Sequence, residues 1–304
     1  MLWIIISIIA YFLFAVVSLI DEILLSDRII KPKLYAFYAG ILSSLVLFLL
    51  FFDSTIPSLS YFLIAFTSGI LWMIAVISYF ECLKRYEVSR VVPAIGAFLP
   101  IFTLGLSYLF SYFSGIDFTS FNLLKIIAFV ALVSGGILIV LEKNKKISKQ
   151  SLKLTTFTAL LLSLSFFTAK IFYLNYSFIS GLIWIRLGWI IGAIFLLVFP
   201  DVRSNIFKKR KTKKFSFLKL FFSGQTIGAL AGILQNWAIY LAPIIYLSFV
   251  NALEGIKYVF VLIFVLIFAR FYPKLSFEKF TKRIVVQKVL AIILIITGLV
   301  LLTL

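Results

Sequence analysis

Four ionisable side chains interrupt long apolar runs of this sequence: Lys170, Arg186, Glu254 and Lys257. Charge inside a membrane's hydrocarbon is costly and rare, and where it persists it usually serves an ion or a substrate. Arg186 falls about nine residues into its run, roughly 13 Å along a helix. Glu254 and Lys257 are three residues apart, so a helix sets them on one face, close enough to pair. Paired, they neutralise each other as scaffold. Facing a cavity with Arg186, they present a net positive charge, and Coulomb attraction in a low dielectric then favours a carboxylate or a phosphate. Glu254 is the acid that lies within a run, which makes it the candidate proton carrier. Lys170 sits at the end of its run and is long enough to snorkel to an interface.

Uncharged polar groups cluster in the same runs: Gln225, Thr226, Gln235, Asn236, Ser248 and Asn251. Amides and hydroxyls read a substrate's donors and acceptors, and they also hold helices together. Gln235 and Asn236, near the end of a run, fit the second role. Trp237 and Tyr246 fit an interfacial aromatic belt, whereas Trp72 and Trp184 lie deeper. The candidate binding set is therefore Arg186, Lys257, Glu254, Asn251, Gln225, Trp72 and Trp184, with Glu254 in the proton role. The chain has no histidine and one cysteine, Cys82. That removes the commonest general base and any cysteine-rich metal site. No phosphate-binding loop or nucleophile motif is present, so no metal, no cofactor, no enzymatic activity and no ATP drive are expected.

The elements that carry these residues follow from composition. Of 304 residues, 63% are hydrophobic and 13% charged, against about 45–50% and about 25% in soluble domains. Lipid is the solvent that accepts such a chain. A spanning helix needs roughly 20 apolar residues, and ten runs qualify, with cores at 2–20, 34–52, 59–80, 91–113, 122–141, 155–174, 178–199, 217–241, 245–269 and 285–303. Pro93 and Pro100 in the fourth run allow a kink. Loops after the odd-numbered runs hold 25 of the 29 Lys and Arg residues, including Lys208 to Lys214. The net charge of +18 is therefore membrane topology rather than a nucleic-acid footprint. By the positive-inside rule these loops are cytoplasmic and both termini lie outside.

The third to fifth runs and the eighth to tenth share a pattern. FECLKRYEVSRVVPAIGAFLPIF, then DFTSF, then ALVSGGILIVL answers to AIYLAPIIYLSFVNALEGIKYVF, then KLSFEKF, then Ile295 to Gly298 and LVLL. Glu22-Ile-Leu-Leu aligns with Lys170-Ile-Phe-Tyr, and Tyr38-Ala-Gly with Arg186-Leu-Gly. Copies of five helices, an odd number, insert upside down relative to each other, as in many secondary transporters. The stretch Tyr246 to Phe268 resembles the fourth helix of a repeat in the EamA-type branch of the drug/metabolite transporter superfamily. Leu253-Glu254 is kept there and Gly255 stands in place of proline; Leu99-Pro100 keeps the proline and lacks the acid. Ser114-Gly115-Ile116-Asp117 is the nearest approach to the family's Gly-Glu. The resemblance implies transport of amino acids, drugs, nucleotide sugars or phosphorylated metabolites. It also implies cytoplasmic termini, against which the one-sided charge count weighs.

The expected fold is thus an all-α integral membrane protein of ten transmembrane helices, two inverted five-helix repeats at 1–145 and 146–304. The expected function is secondary transport of a small anionic or zwitterionic metabolite across the plasma (inner) membrane, by a monomer or homodimer whose other partner is the lipid bilayer. The competing reading is a membrane-embedded lipid-modifying enzyme or scaffold, which needs a catalytic cluster at the interface. The acids there are Asp21, Glu22, Asp27, Glu81 and Glu87, interspersed with basic residues and without paired spacing.

Overall fold

The computed structural model describes residues 1–26, 32–86, 88–115, 122–140, 149–207, 215–271 and 282–303. The basic loop Lys208 to Lys214 and Asp117 lie outside the described residues. Among these residues every regular element is a helix and no strand forms. The order is α1 (Leu2–Ser26), α2 (Pro32–Leu42) continued by a 3₁₀ run over Ser43–Phe51, α3 (Leu59–Arg85), α4 (Val88–Ser114) and α5 (Leu123–Val140). Then come α6 (Lys149–Tyr173), α7 (Phe178–Phe195) with a 3₁₀ turn to Val198, and the short α8 (Pro200–Phe207). The chain ends with α9 (Phe215–Leu241), a 3₁₀ turn at Ile244–Tyr246, α10 (Leu247–Ala252), α11 (Glu254–Phe271) and α12 (Lys282–Thr303).

Among the described residues, eight segments are long and apolar enough to cross a bilayer, which is compatible with an integral multi-pass membrane protein. The expected fifth and eighth spans are not among these eight. Helix α5 runs over 18 residues, roughly 27 Å at 1.5 Å per residue, beside a hydrocarbon core of about 30 Å. Helix α9 is 27 residues long and carries Gln225, Thr226, Gln235 and Asn236 among apolar neighbours. The expected ninth span is one apolar stretch, Ile244–Phe264, in which α10 passes to α11 through the single residue Leu253, itself of helical φ and ψ. Helix α4 runs on through Pro100 and ends at Gly115, whose φ of 66° is the left-handed cap that favours glycine.

Backbones approach closely where glycine permits it. A Cβ at Gly135 would lie 2.7 Å from the Ile295 side chain and 2.9 Å from the Ala291 carbonyl oxygen. A Cβ at Gly298 would lie 2.7 Å from Leu132 and 2.9 Å from the Ala128 carbonyl oxygen. Helices α5 and α12 thus pack antiparallel with matching contacts in the two directions. Gly136 meets Gly255 of α11 in the same way. Helix α1 packs along α9 and α11, α6 packs along α3 and α4, and α4 packs on α10. The main apolar core lies among these helices, and a smaller one around Leu34, Met73, Ala193 and Val202 joins α2, α3, α7 and α8. Outward faces remain apolar: Leu45 and Phe48, Ile126 and Val130, Ile293 and Val300 are all exposed, as lipid contact requires.

Candidate functional site

Four helices, α3, α6, α7 and α9, enclose a cleft lined by Ser68, Trp72, Ser165, Arg186, Trp189 and Gln235, with Asn236 and Gly232 beside them. Glycine sets the distance between its walls. A Cβ at Gly188 would lie 2.3 Å from the Phe66 carbonyl oxygen, and one at Gly69 would lie 2.1 Å from that of Ile185. The backbones of α3 and α7 therefore touch, and the neighbouring side chains Trp72 and Arg186 are brought to one space. Ser68 and Ser165 clamp α3 to α6: Ser68 Oγ donates to the Ser165 carbonyl at 2.8 Å, and Ser165 Oγ returns the bond to Ser68 at 2.9 Å.

Arg186 dominates this cleft. Its guanidinium stacks over the Trp189 ring, 4.6 Å from the centroid, and lies against Gly232, where a Cβ would be 3.2 Å from Nη2. No carboxylate pairs with it among the described residues. The Trp72 indole N–H is also buried without a hydrogen-bond acceptor. The cleft thus offers a planar array of unused donors and no acid. A guanidinium fork fits a carboxylate or a phosphate in two-point fashion.

The cleft is narrow as it stands. The space open to the centres of water molecules is about 30 Å³, and one water takes about 10–15 Å³ on that measure. A metabolite needs the walls to part. One end is closed by aromatic rings. Tyr173 donates to Asn236 Oδ1 at 3.3 Å and packs edge-on against Tyr240, which also meets Phe178. Beyond them, the loop before α3 is fastened to the start of α7. Asp53 accepts from the Ser177 hydroxyl, the N-cap of α7, and from Thr55 N–H at 3.0 Å. Trp184 Nε1 donates to the Thr55 carbonyl at 3.0 Å, and Ser58 N–H donates to the Tyr176 hydroxyl at 3.0 Å. These hydrogen bonds, with the Ser177 hydroxyl foremost, hold the Asp53 carboxyl below its ordinary range.

The structure brings some of the expected residues together and separates others. Arg186 and Trp72 share the cleft. Glu254 and Lys257 are not among the residues that line it. They pair with each other at 2.6 Å, with Tyr258 donating to the same carboxylate oxygen at 3.4 Å. Gln225 lies elsewhere and donates to the Tyr35 hydroxyl at 2.7 Å, tying α9 to α2. Asn251 donates to Thr103 of α4 at 2.9 Å. Trp184 belongs to the loop fastening, not to the cleft wall. Lys170 does not snorkel: it is 3% exposed and donates to the Tyr240 carbonyl at 2.9 Å, in the last turn of α9, where a cation suits the helix dipole.

Gln235, Asn236, Trp189 and the Ser68–Ser165 clamp are cleft residues outside the set chosen from sequence. The periodicity that would have found them is present: Gly232, Gln235 and Asn236 recur at three and four residues, one face of α9. Gln235 also links the cleft to its surroundings. Its amide donates to the Tyr11 hydroxyl at 3.4 Å, and Tyr11 donates to the Val250 carbonyl of α10 at 2.8 Å.

No protein-family model and no curated protein matches the chain. A solved structure described as "Crystal structure of protein" resembles it over 99% of this chain and 97% of that one, with a TM-score of 0.68 and 12% identity. The likeness is one of fold, and it extends over the whole helical assembly.

Proposed function

We propose that the protein is a secondary transporter that carries a small anionic or zwitterionic metabolite through the Arg186 cleft. The observation that carries this is the guanidinium of Arg186, held among apolar helices with no carboxylate to neutralise it among the described residues. A buried cation without a partner is costly, and a scaffold role would be met better by leucine. A carboxylate, phosphate or nucleotide-sugar diphosphate supplies the missing charge, and Trp72, Gln235 and Asn236 supply further contacts.

The proposal includes ten spans in two inverted repeats, as in the EamA-type transporters that the sequence resembles. Its support is the packing. The α1–α9 contact answers to the α6–α3 contact, α1–α11 answers to α6–α4, and α5 with α12 and α4 with α10 answer to themselves. That is the pattern of neighbours two inverted five-helix copies would have. On this reading the basic loops face the cytoplasm of a cell bounded by the plasma membrane, and both termini lie outside. A tag at Leu304 is then reachable from outside the cell and one at Lys211 is not; the opposite labelling reverses the orientation and leaves the helices as they are. The function is tested by uptake of amino acids, phosphosugars and nucleotide sugars into proteoliposomes. Uptake of one of these classes that is lost in Arg186→Gln supports the proposal, and no uptake of any class removes it.

A further inference from the structure

A second polar region lies between α4 and the α10–α11 pair. A Cβ at Gly96 would be 3.6 Å from the Tyr258 hydroxyl, and seven residues further along α4 Thr103 accepts from Asn251, seven residues back. The two elements therefore run antiparallel. Thr103, Ser107 and Ser111 recur every four residues and share one face of α4. Ser248 and Asn251, three apart, share one face of α10. One turn beyond the Thr103–Asn251 bond, the antiparallel register sets Ser107 opposite Ser248. All five residues are at most 1% exposed.

The orientation of Asn251 is determined. Its Nδ2 donates to Thr103 Oγ1, and the Thr103 hydroxyl in turn donates to the Leu99 carbonyl at 2.8 Å. Asn251 Oδ1 is thus left as an acceptor, and it has no donor among the described protein groups. The hydroxyls of Ser107, Ser111 and Ser248 are likewise without protein partners. Unmatched oxygens this deep in an apolar bundle are costly. An unpaired acceptor repels an anion and attracts a cation. Beside this seam the Val250 carbonyl accepts from the Tyr11 hydroxyl.

We propose that this seam binds a monovalent cation of sodium's hardness, with Asn251 Oδ1, Ser248 Oγ and Ser107 Oγ as side-chain ligands. Hard cations take oxygen ligands, and a set without a carboxylate suits a single positive charge better than a double one. The link Val250–Tyr11–Gln235 joins this seam to the Arg186 cleft. A coupling role for the ion rests on the transport reading above; the binding itself does not.

The test is thermal unfolding of the purified full chain as sodium chloride replaces choline chloride at constant ionic strength. A ligand bound to the folded state raises the midpoint in a saturable way. Sodium is expected to do so. Ser107→Ala and Ser248→Ala should each raise the half-saturating concentration about tenfold, the loss of about 1.4 kcal/mol of binding. Ser134→Ala, which removes a hydroxyl bonded within α5, should leave it unchanged. Equal midpoints in sodium and choline, as when water alone fills the seam, overturn the proposal, as does a sodium response that both serine variants retain. Substrate uptake with and without a sodium gradient is read separately: a saturable sodium response with no uptake of any substrate supports the site and removes the transport reading.

Discussion

Arg186 and the Glu254–Lys257 pair lie in helices of similar apolarity, and their surroundings differ. Lys257 finds a carboxylate at 2.6 Å, and Tyr258 completes the group. Arg186 finds an indole ring and a glycine. The first region satisfies its own charge; the second leaves it for something else to satisfy. Depth in a membrane helix is therefore not by itself the mark of a binding site. The mark is charge that the protein does not compensate, next to space that can open.

The largest effect expected from breaking this contrast is structural. Gly188→Leu pushes a side chain into the Phe66 carbonyl, 2.3 Å from where its Cβ must sit, and drives α3 and α7 apart at the cleft. Overpacking of this kind costs about 1–3 kcal/mol or more, so folded protein should fall sharply in size-exclusion yield. Gly105→Leu, with nothing within 4 Å, is the control that should fold. If both variants fold equally well, the walls of the cleft are not set by this contact.

Next in size is the charge pair. Glu254→Ala strands Lys257. Breaking a fully buried pair costs about 3–5 kcal/mol, and these side chains keep 20% and 16% of their exposure, so about 2 kcal/mol is expected in denaturant unfolding. The double variant Glu254→Leu with Lys257→Met should recover most of it, since apolar replacement of both partners is often neutral. A single variant as stable as the parent would mean the pair is not compensating anything. Glu254→Gln also bears on the proton role: transport that loses its dependence on a pH gradient in this variant supports it, and unchanged dependence removes it.

Smaller effects sharpen the contrast. Gln235→Leu removes a neutral hydrogen-bonding group from the cleft wall; a substrate contact of that kind is worth about 0.5–1.5 kcal/mol, so substrate affinity should fall roughly two- to twelvefold. The Asp53 fastening is smallest. Its carboxyl is held below its ordinary range, so its contribution is complete above the unfolded value, about 3.9, and is lost only as pH falls through the lower folded one. Asp53→Asn should then lose this small contribution to stability at neutral pH, and the difference from the parent should vanish only below about pH 4. A change centred near pH 6–7 would contradict that assignment.

Much of this arrangement was legible in the sequence because lipid imposes simple rules. Apolar run length located the long helices, and Arg186, singled out by its depth, lines the cleft. Bonds between helices were harder. Gly255 stands where the resemblance expected proline, and the bonds just before it, from Tyr11 to the Val250 carbonyl and from Asn251 to Thr103, join residues far apart in the chain. The cleft was half legible for the same reason. Gln235 and Asn236 look like helix glue along one chain. Only the approach of α3 to α7, through Gly69 and Gly188, shows that Arg186 and Trp72 stand across from them. The pairing of Glu254 with Lys257 was one of two readings that i, i+3 spacing allowed.

The measurement that bears most directly on the central claim is uptake of matched small anions and cations by proteoliposomes carrying the parent chain, Arg186→Lys or Arg186→Gln. A charge-assisted contact is worth about 1.5–3 kcal/mol, so Arg186→Gln should lower anion uptake about ten- to hundredfold in a protein that still folds, with Arg186→Lys in between. Anion uptake that Arg186→Gln leaves at the parent level, or a preference for cations in the parent, would contradict the account.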